Sequence, residues 1–229
     1  VPQQITETPA FKRAMEREER VRVPIVVLFR EHPRTLVLAT LAAITTFVVF
    51  YLMTVFTLSF GTTELGFARQ DFLLLQMIGV LFFALTIPLT ALAADRIGRW
   101  PVLIGSSVAV IVFGLTFAPL FSTAGALRAT VFLSVGLALM GCTYGALGTA
   151  LAELFPTAVR YTGASLTFNL AGILGGSLAP YIATALANRH GIAYVGYYLS
   201  AAAAITLAAQ LLIRRRPPQA APAIERSAA

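Results

Sequence analysis

Asp95-Arg96-Ile97-Gly98-Arg99 is the stretch from which the rest of this chain can be read. Asp95, Arg96 and Arg99 crowd formal charge into one short segment, and the chain is apolar on both sides, over about 71–94 and about 101–120. Charge is expensive inside a bilayer, so this knot belongs at a membrane surface, in a tight loop between two spans. The chain is expected to cross a membrane repeatedly.

Composition points the same way. Hydrophobic residues make up 58% of the chain and charged residues 12%, with a mean hydropathy of +0.80. A soluble domain carries about 25% charged residues. The single cysteine, Cys142, has no internal disulfide partner, and with only two histidines a structural zinc site is not expected. The chain opens at Val1 on a polar segment without an apolar signal region, and reads as a piece of a longer product.

The fold class expected is an all-α membrane protein. Residues 1–34 are polar, with acid–base pairs at helical spacing between Phe11 and Arg20 that suit a solvated amphipathic helix. The short apolar patch at 24–29 suits an interface. Six spans are predicted, at about 35–60, 71–94, 101–120, 127–155, 158–187 and 193–213, each long enough for about 30 Å of hydrocarbon. Residues 214–229 form a basic, proline-rich tail expected to be disordered.

The 17 basic residues divide unevenly across these spans. One side receives only Arg69, Arg128 and Arg189, and the other receives all the rest. The positive-inside rule then places both termini in the cytoplasm, and the membrane expected is a plasma (bacterial inner) membrane. The net charge of +7 follows from this asymmetry and from contact with anionic headgroups, so no nucleic-acid partner is needed. Gly141/Gly145 and Gly172/Gly176 have the spacing that lets helix backbones approach closely. Pro88, Pro119 and Pro180 are expected to interrupt spans near their ends, which reads either as packing detail or as a capacity to bend.

Two loops on the basic side carry the specific information. The first is 89–101, around Asp95, Arg96, Gly98 and Arg99. The second is Glu153-Leu154-Phe155-Pro156-Thr157-Ala158-Val159-Arg160-Tyr161-Thr162-Gly163-Ala164-Ser165. With Ala171–Gly176 and Ala179-Pro180, these loops resemble the major facilitator superfamily, in its metabolite:proton symporter branch of shikimate, α-ketoglutarate, citrate and proline/betaine permeases. Asp95-Arg96-x-Gly98-Arg99 looks like that superfamily's loop motif between its eighth and ninth helices. Two positions depart from the pattern: Ala91 stands where the family usually has glycine, and Trp100 where a basic residue often follows. The resemblance covers about residues 5–213.

It implies the C-terminal half of a twelve-helix transporter, whose other partners are a small-molecule substrate, the bilayer and an N-terminal six-helix half. No cofactor is implied, with a proton as the coupling ion. The resemblance also implies that Asp95, Arg96, Gly98, Arg99, Glu153 and Arg160 act as a cytoplasmic latch, with Asp95 paired to Arg99 or Arg160 and capping a helix N-terminus, and Glu153 holding one of the arginines. A static topology anchor is the other reading of the same charges. Candidates for the substrate path are Tyr51, Thr54, Gln76, Tyr144 and Asn169, each of which also reads as a helix–helix contact. No acid or base falls in the middle third of any span, so a proton-coupling carboxylate is expected in the other half. A non-transporting sensor of the same fold is the alternative function. An intramembrane protease is disfavoured because Ser165 and His190 belong to opposite sides, and a channel because no charged pore lining repeats.

Overall fold

The computed structural model describes residues 24–123 and 125–215. The amphipathic helix expected between 11 and 20, and the tail from 216, lie outside the described residues. Every regular element described is helical. The order is α1 (Pro24–Glu31), α2 (Pro33–Thr63), α3 (Arg69–Ile97), α4 (Arg99–Leu115), α5 (Phe117–Phe121), α6 (Ala126–Ala152), α7 (Arg160–His190) and α8 (Ile192–Arg214).

By length and composition, α2, α3, α6, α7 and α8 can each cross a membrane. The third predicted span takes a different form. α4 has 17 residues, a length of about 26 Å, and the chain breaks at Thr116 before α5 carries it on. Pro119 accounts for the break, because its ring excludes the carbonyl of Leu115 and it has no N–H to donate. The fourth span also ends earlier than expected, at Ala152, after turning at Gly145-Ala146. Pro88 interrupts nothing: it lies inside the continuous helix α3.

Two features were not anticipated. α2 contains a π-helical turn at Leu52–Phe56, and α7 another at Ile173–Ser177. The second turn ends at Ser177, and Pro180 sits in the first turn of the helical segment that resumes at Ala179, where a missing N–H leaves no helical bond unmade.

Small residues set the packing. A Cβ added at Gly141 would stand 2.7 Å from the Phe83 carbonyl oxygen, and one at Gly145 2.6 Å from that of Ile87. α3 and α6 therefore touch backbone to backbone. On α7, a Cβ at Gly175 would stand 2.7 Å from the Ile44 carbonyl of α2, whereas one at Gly172 would meet only the Phe47 ring, at 3.3 Å. Gly114 and Gly196 form a further close crossing between α4 and α8 that the sequence reading did not single out. Polar bonds add to this crossing and extend it to α2. Thr45 and Thr206 hydroxyls meet at 2.8 Å, Thr206 donates to the Leu41 carbonyl, Ser107 donates to Gln210 Oε1 at 3.0 Å, and Gln210 Nε2 donates to the Ala42 carbonyl. These bonds tie α2, α4 and α8 together.

Of the five spanning helices, α3 and α7 are the least buried. α3 exposes Met77 and Leu81 at 64% and 68%, and α7 exposes Ile173, Leu178 and Tyr181. Helices apolar all round belong in lipid or against another apolar body.

Candidate functional site

The charged loops come together at one end of the bundle. Gly98 has φ 94°, a conformation that glycine tolerates without strain, and it reverses the chain between α3 and α4. The reversal puts Arg99 at the start of α4, where its guanidinium pairs with Glu153 at the end of α6. That is the one ion pair among the described residues, and its side chains are 33% and 52% exposed. Trp100 packs against the Ala94/Ala146/Ala150 cluster and against Ala42, Ala209 and Ile213, so an aromatic wedge occupies the place of the family's basic residue.

The remaining loop charges are not arranged as expected. Asp95 is exposed in the last turn of α3, and its side chain makes no ion pair or hydrogen bond with any described residue. The N-terminus of α4 is capped by Gly98, not by Asp95. Glu153 occupies Arg99, and Arg160 turns back to donate from Nε to the Phe155 carbonyl at 3.3 Å. Arg96 is exposed. Gly163 makes room for the buried Phe155 ring, since a Cβ there would stand 2.6 Å from its Cγ. Among the described residues, no three His, Cys, Asp or Glu side chains come together to hold a metal ion.

A second site lies near the midpoints of α2, α3 and α6. A cavity of about 310 Å³ is walled by Phe47, Phe50 and Tyr51 of α2, Phe83 of α3, Tyr144 of α6 and Phe168 of α7. Thr46 and Met140 complete the lining. Of the five candidates for the substrate path, this cavity brings together Tyr51 and Tyr144 and leaves out the other three.

Gln76 has a different task. It is 8% exposed, and its Nε2 lies 2.9 Å from both the Met53 and Thr54 carbonyls and 3.4 Å from Thr57 Oγ1. All three acceptors belong to the π turn of α2 or the residue after it. A π turn displaces carbonyls from their helical partners, and Gln76 supplies donors from the neighbouring helix. Thr54 donates its hydroxyl to the Phe50 carbonyl, and exposed Asn169 donates to Ser165 one turn back. Tyr51 and Tyr144 were anticipated, whereas the Phe47, Phe50, Phe83 and Phe168 walls were not, although part of the spacing was readable. Phe47/Tyr51 and Met140/Tyr144 are i, i+4 pairs, each marking one helix face.

Comparison with known proteins fits this architecture. The profile of the Major Facilitator Superfamily matches residues 4–180. The Escherichia coli K12 inner membrane metabolite transport protein YhjE is 40% identical over 211 residues, covering 90% of this chain and 48% of that protein. Two Haemophilus influenzae proteins, provisionally named as metabolite transport proteins, are 35% and 36% identical over 58% of this chain and 33% of theirs. The chain thus spans half or less of the length of the curated relatives it matches. With the profile covering most of its length, the chain belongs to the Major Facilitator Superfamily.

Proposed function

We propose that this chain is the C-terminal six-helix half of a secondary active transporter in a bacterial inner membrane, with both termini cytoplasmic. It carries a small organic acid or zwitterionic metabolite by proton-coupled symport, through alternating access. The carrying observation is the cavity beside the bare faces of α3 and α7. Phe83 and Phe168, on those two helices, form part of its wall. A second half-bundle seated on these faces would close the cavity into a site between halves. The YhjE name supports metabolite transport, and the charge asymmetry supports the orientation.

Polar side chains alone do not separate a carrier from a sensor of the same fold. Gln76 and Asn169 are engaged within the bundle, so the preference for transport rests on the cavity. Ser165 and His190 stand at opposite ends of α7 and form no dyad. The described acids, Glu31, Glu64, Asp71, Asp95 and Glu153, all lie at or beyond helix ends, so the coupling carboxylate belongs to the other half. The Arg99–Glu153 pair holds the loop end closed, and Asp95 is free to engage when that end rearranges.

The test uses the intact carrier in lipid vesicles enclosing a pH-sensitive dye. A panel of organic acids and zwitterions should produce substrate-dependent proton entry. Uptake that persists unchanged after the proton gradient is collapsed refutes symport. Uptake by the 229-residue chain alone refutes its assignment as half of the machine.

A further inference from the structure

α3 and α7 are both exposed along one side, but the two sides differ in chemistry. Between Leu73 and Leu89, every exposed residue of α3 is apolar. On α7, Asn169, Ser177, Tyr181, Thr184 and Asn188 are all exposed. The exposed apolar residues of that stretch, Ile173, Leu174 and Leu178, are confined to the π turn and the residue after it. Four residues of α-helix overshoot a full turn by about 40°, so a row spaced by four drifts around a helix. The π turn holds more residues per turn and takes that drift back, which keeps the polar residues before and after it on one side. Among the described residues, the Ser177, Tyr181 and Thr184 hydroxyls and the Asn188 amide have no hydrogen-bond partner.

The row runs between two voids. Asn169 follows Phe168, and Ser177 follows Gly176, against which the Tyr51 ring packs; Phe168 and Tyr51 are walls of the 310 Å³ cavity. Farther along α7, Thr184 and Asn188 share a cleft of about 30 Å³ with Ser59, Thr63 and Glu64 of α2. The cleft has room for about two waters. Glu64 alone among its lining residues carries formal charge, and it pairs with none of the described residues. α2 ends and α3 begins at this cleft, whereas α3 ends at Gly98, beside the Arg99–Glu153 pair. The cleft and the ion pair therefore occupy opposite ends of the bundle.

Three surroundings can be weighed for this row. Hydrocarbon leaves every unpaired hydroxyl and amide without a partner, at a cost for each. A tightly seated second half would have to satisfy each group again after every rocking movement, because hydrogen bonds weaken steeply with distance and angle. Water satisfies them at any relative position of the halves, and it solvates Glu64. We infer that the Asn169–Asn188 side of α7 is a hydrated wall along which polar solutes pass between the Glu64 cleft and the aromatic-lined cavity, with Glu64 setting a negative potential at its mouth. The inference rests on the reading of that cavity as the substrate path.

The test uses the intact carrier in lipid nanodiscs, with Cys142 and every cysteine of the other half replaced by serine. Asn169→Cys, Ser177→Cys, Thr184→Cys and Asn188→Cys are introduced singly, with Leu81→Cys on the α3 side as reference. Each row position should react with a charged, membrane-impermeant methanethiosulfonate at least about tenfold faster than the reference, because only a wetted thiol ionises and meets the reagent. Rates as slow as at Leu81→Cys overturn the wall. Ser177→Cys changes a single atom, so it decides alone if the other variants do not fold. With each rate divided by that of free cysteine, a trimethylammonium reagent should outrun a sulfonate reagent at Thr184→Cys by at least about threefold at low salt. Adding Glu64→Gln should remove that preference, and a preference that is absent or survives this change overturns the role of Glu64. Uptake by the wild-type carrier is measured separately. Uptake with an unreactive row refutes the wall and leaves the transport reading standing. A reactive row in a carrier that transports nothing supports hydration of α7 and refutes transport.

Discussion

Replacing Gln76 by leucine removes the donors that hold the π turn of α2 and leaves the volume nearly unchanged. The Nε2 group has two hydrogens for three acceptors, so at most two bonds are lost. Met53 O keeps the Thr57 hydroxyl at 2.7 Å, so Thr54 O is the group deprived of its side-chain donor. A side-chain hydrogen bond between membrane helices averages about 0.6 kcal/mol. A buried group left without a partner costs about 1–3 kcal/mol. Two average bonds, with one acceptor partly compensated, give a local destabilisation of about 1–2 kcal/mol. That corresponds to about five- to thirtyfold faster opening. Hydrogen exchange of the intact carrier should register this rise in the peptide spanning Leu52–Phe56, with no change along the Thr45–Thr206–Gln210 seam. Exchange at Leu52–Phe56 equal to wild type refutes the clamp. An equal rise at the seam refutes its local character.

Three further outcomes follow from the contacts. Gly141→Ala should lower the thermal midpoint, by a loss of about 1–3 kcal/mol, because its Cβ meets the Phe83 carbonyl, whereas Gly148→Ala, with nothing within 4 Å, should stay within about 0.5 kcal/mol of wild type. Thr167→Val should be neutral or stabilising in detergent unfolding, because the buried Thr167 hydroxyl has no hydrogen-bond partner among the described residues, whereas Thr206→Val should destabilise by about 1 kcal/mol by breaking bonds to α2. Asp95→Asn and Glu153→Gln should each change stability by less than about 1 kcal/mol, since Asp95 pairs with none of the described residues and the Glu153 pair is exposed. Both should slow uptake if the loop charges form a latch, and wild-type uptake of Asp95→Asn at normal expression refutes that role.

The helices were legible because lipid imposes one pattern on every span, long apolar runs broken by charge. The loop ends at Gly98 and Pro156 were legible because glycine and proline restrict the backbone locally. The partners of the loop charges were not. Asp95 and Glu153 are equivalent as symbols near Arg99, and only the register of α3 against α6, fixed by Gly141 and Gly145, decides which carboxylate reaches the guanidinium. The same limit applies to Gln76. A polar residue within an apolar span signals that something needs a hydrogen bond, but a π turn in a neighbouring helix has no signature at position 76. The phenylalanine walls of the cavity were illegible for another reason: phenylalanine is common in apolar spans, and a ring carries no polar atom that marks a site.

Directional bonds reinforce the small-residue contacts between α3 and α6 and between α4 and α8 but not those of α7, and the difference bears on which wall of the cavity can move. α2, α4 and α8 share hydrogen bonds at Thr45, Ser107, Thr206 and Gln210. A shift along these helices loses those bonds, because hydrogen bonds weaken steeply with distance and angle. Thr86 and Gln76 tie α3 to α6 and α2 in the same manner. Among the described residues, no side chain of α7 bonds to another helix. α7 rests on α2 through Gly172, Gly175 and Gly176, and its buried Thr167 hydroxyl is unmatched. Contacts of this kind are individually weak and have no required angle, so sliding exchanges one set for another. The π turn at Ile173–Ser177 divides α7 into a segment that carries Phe168 and a segment beyond Pro180. Phe168 is therefore the wall residue whose displacement loses the fewest bonds, and movement of α7 on α2 would open or close the cavity while the α2–α4–α8 unit stays intact.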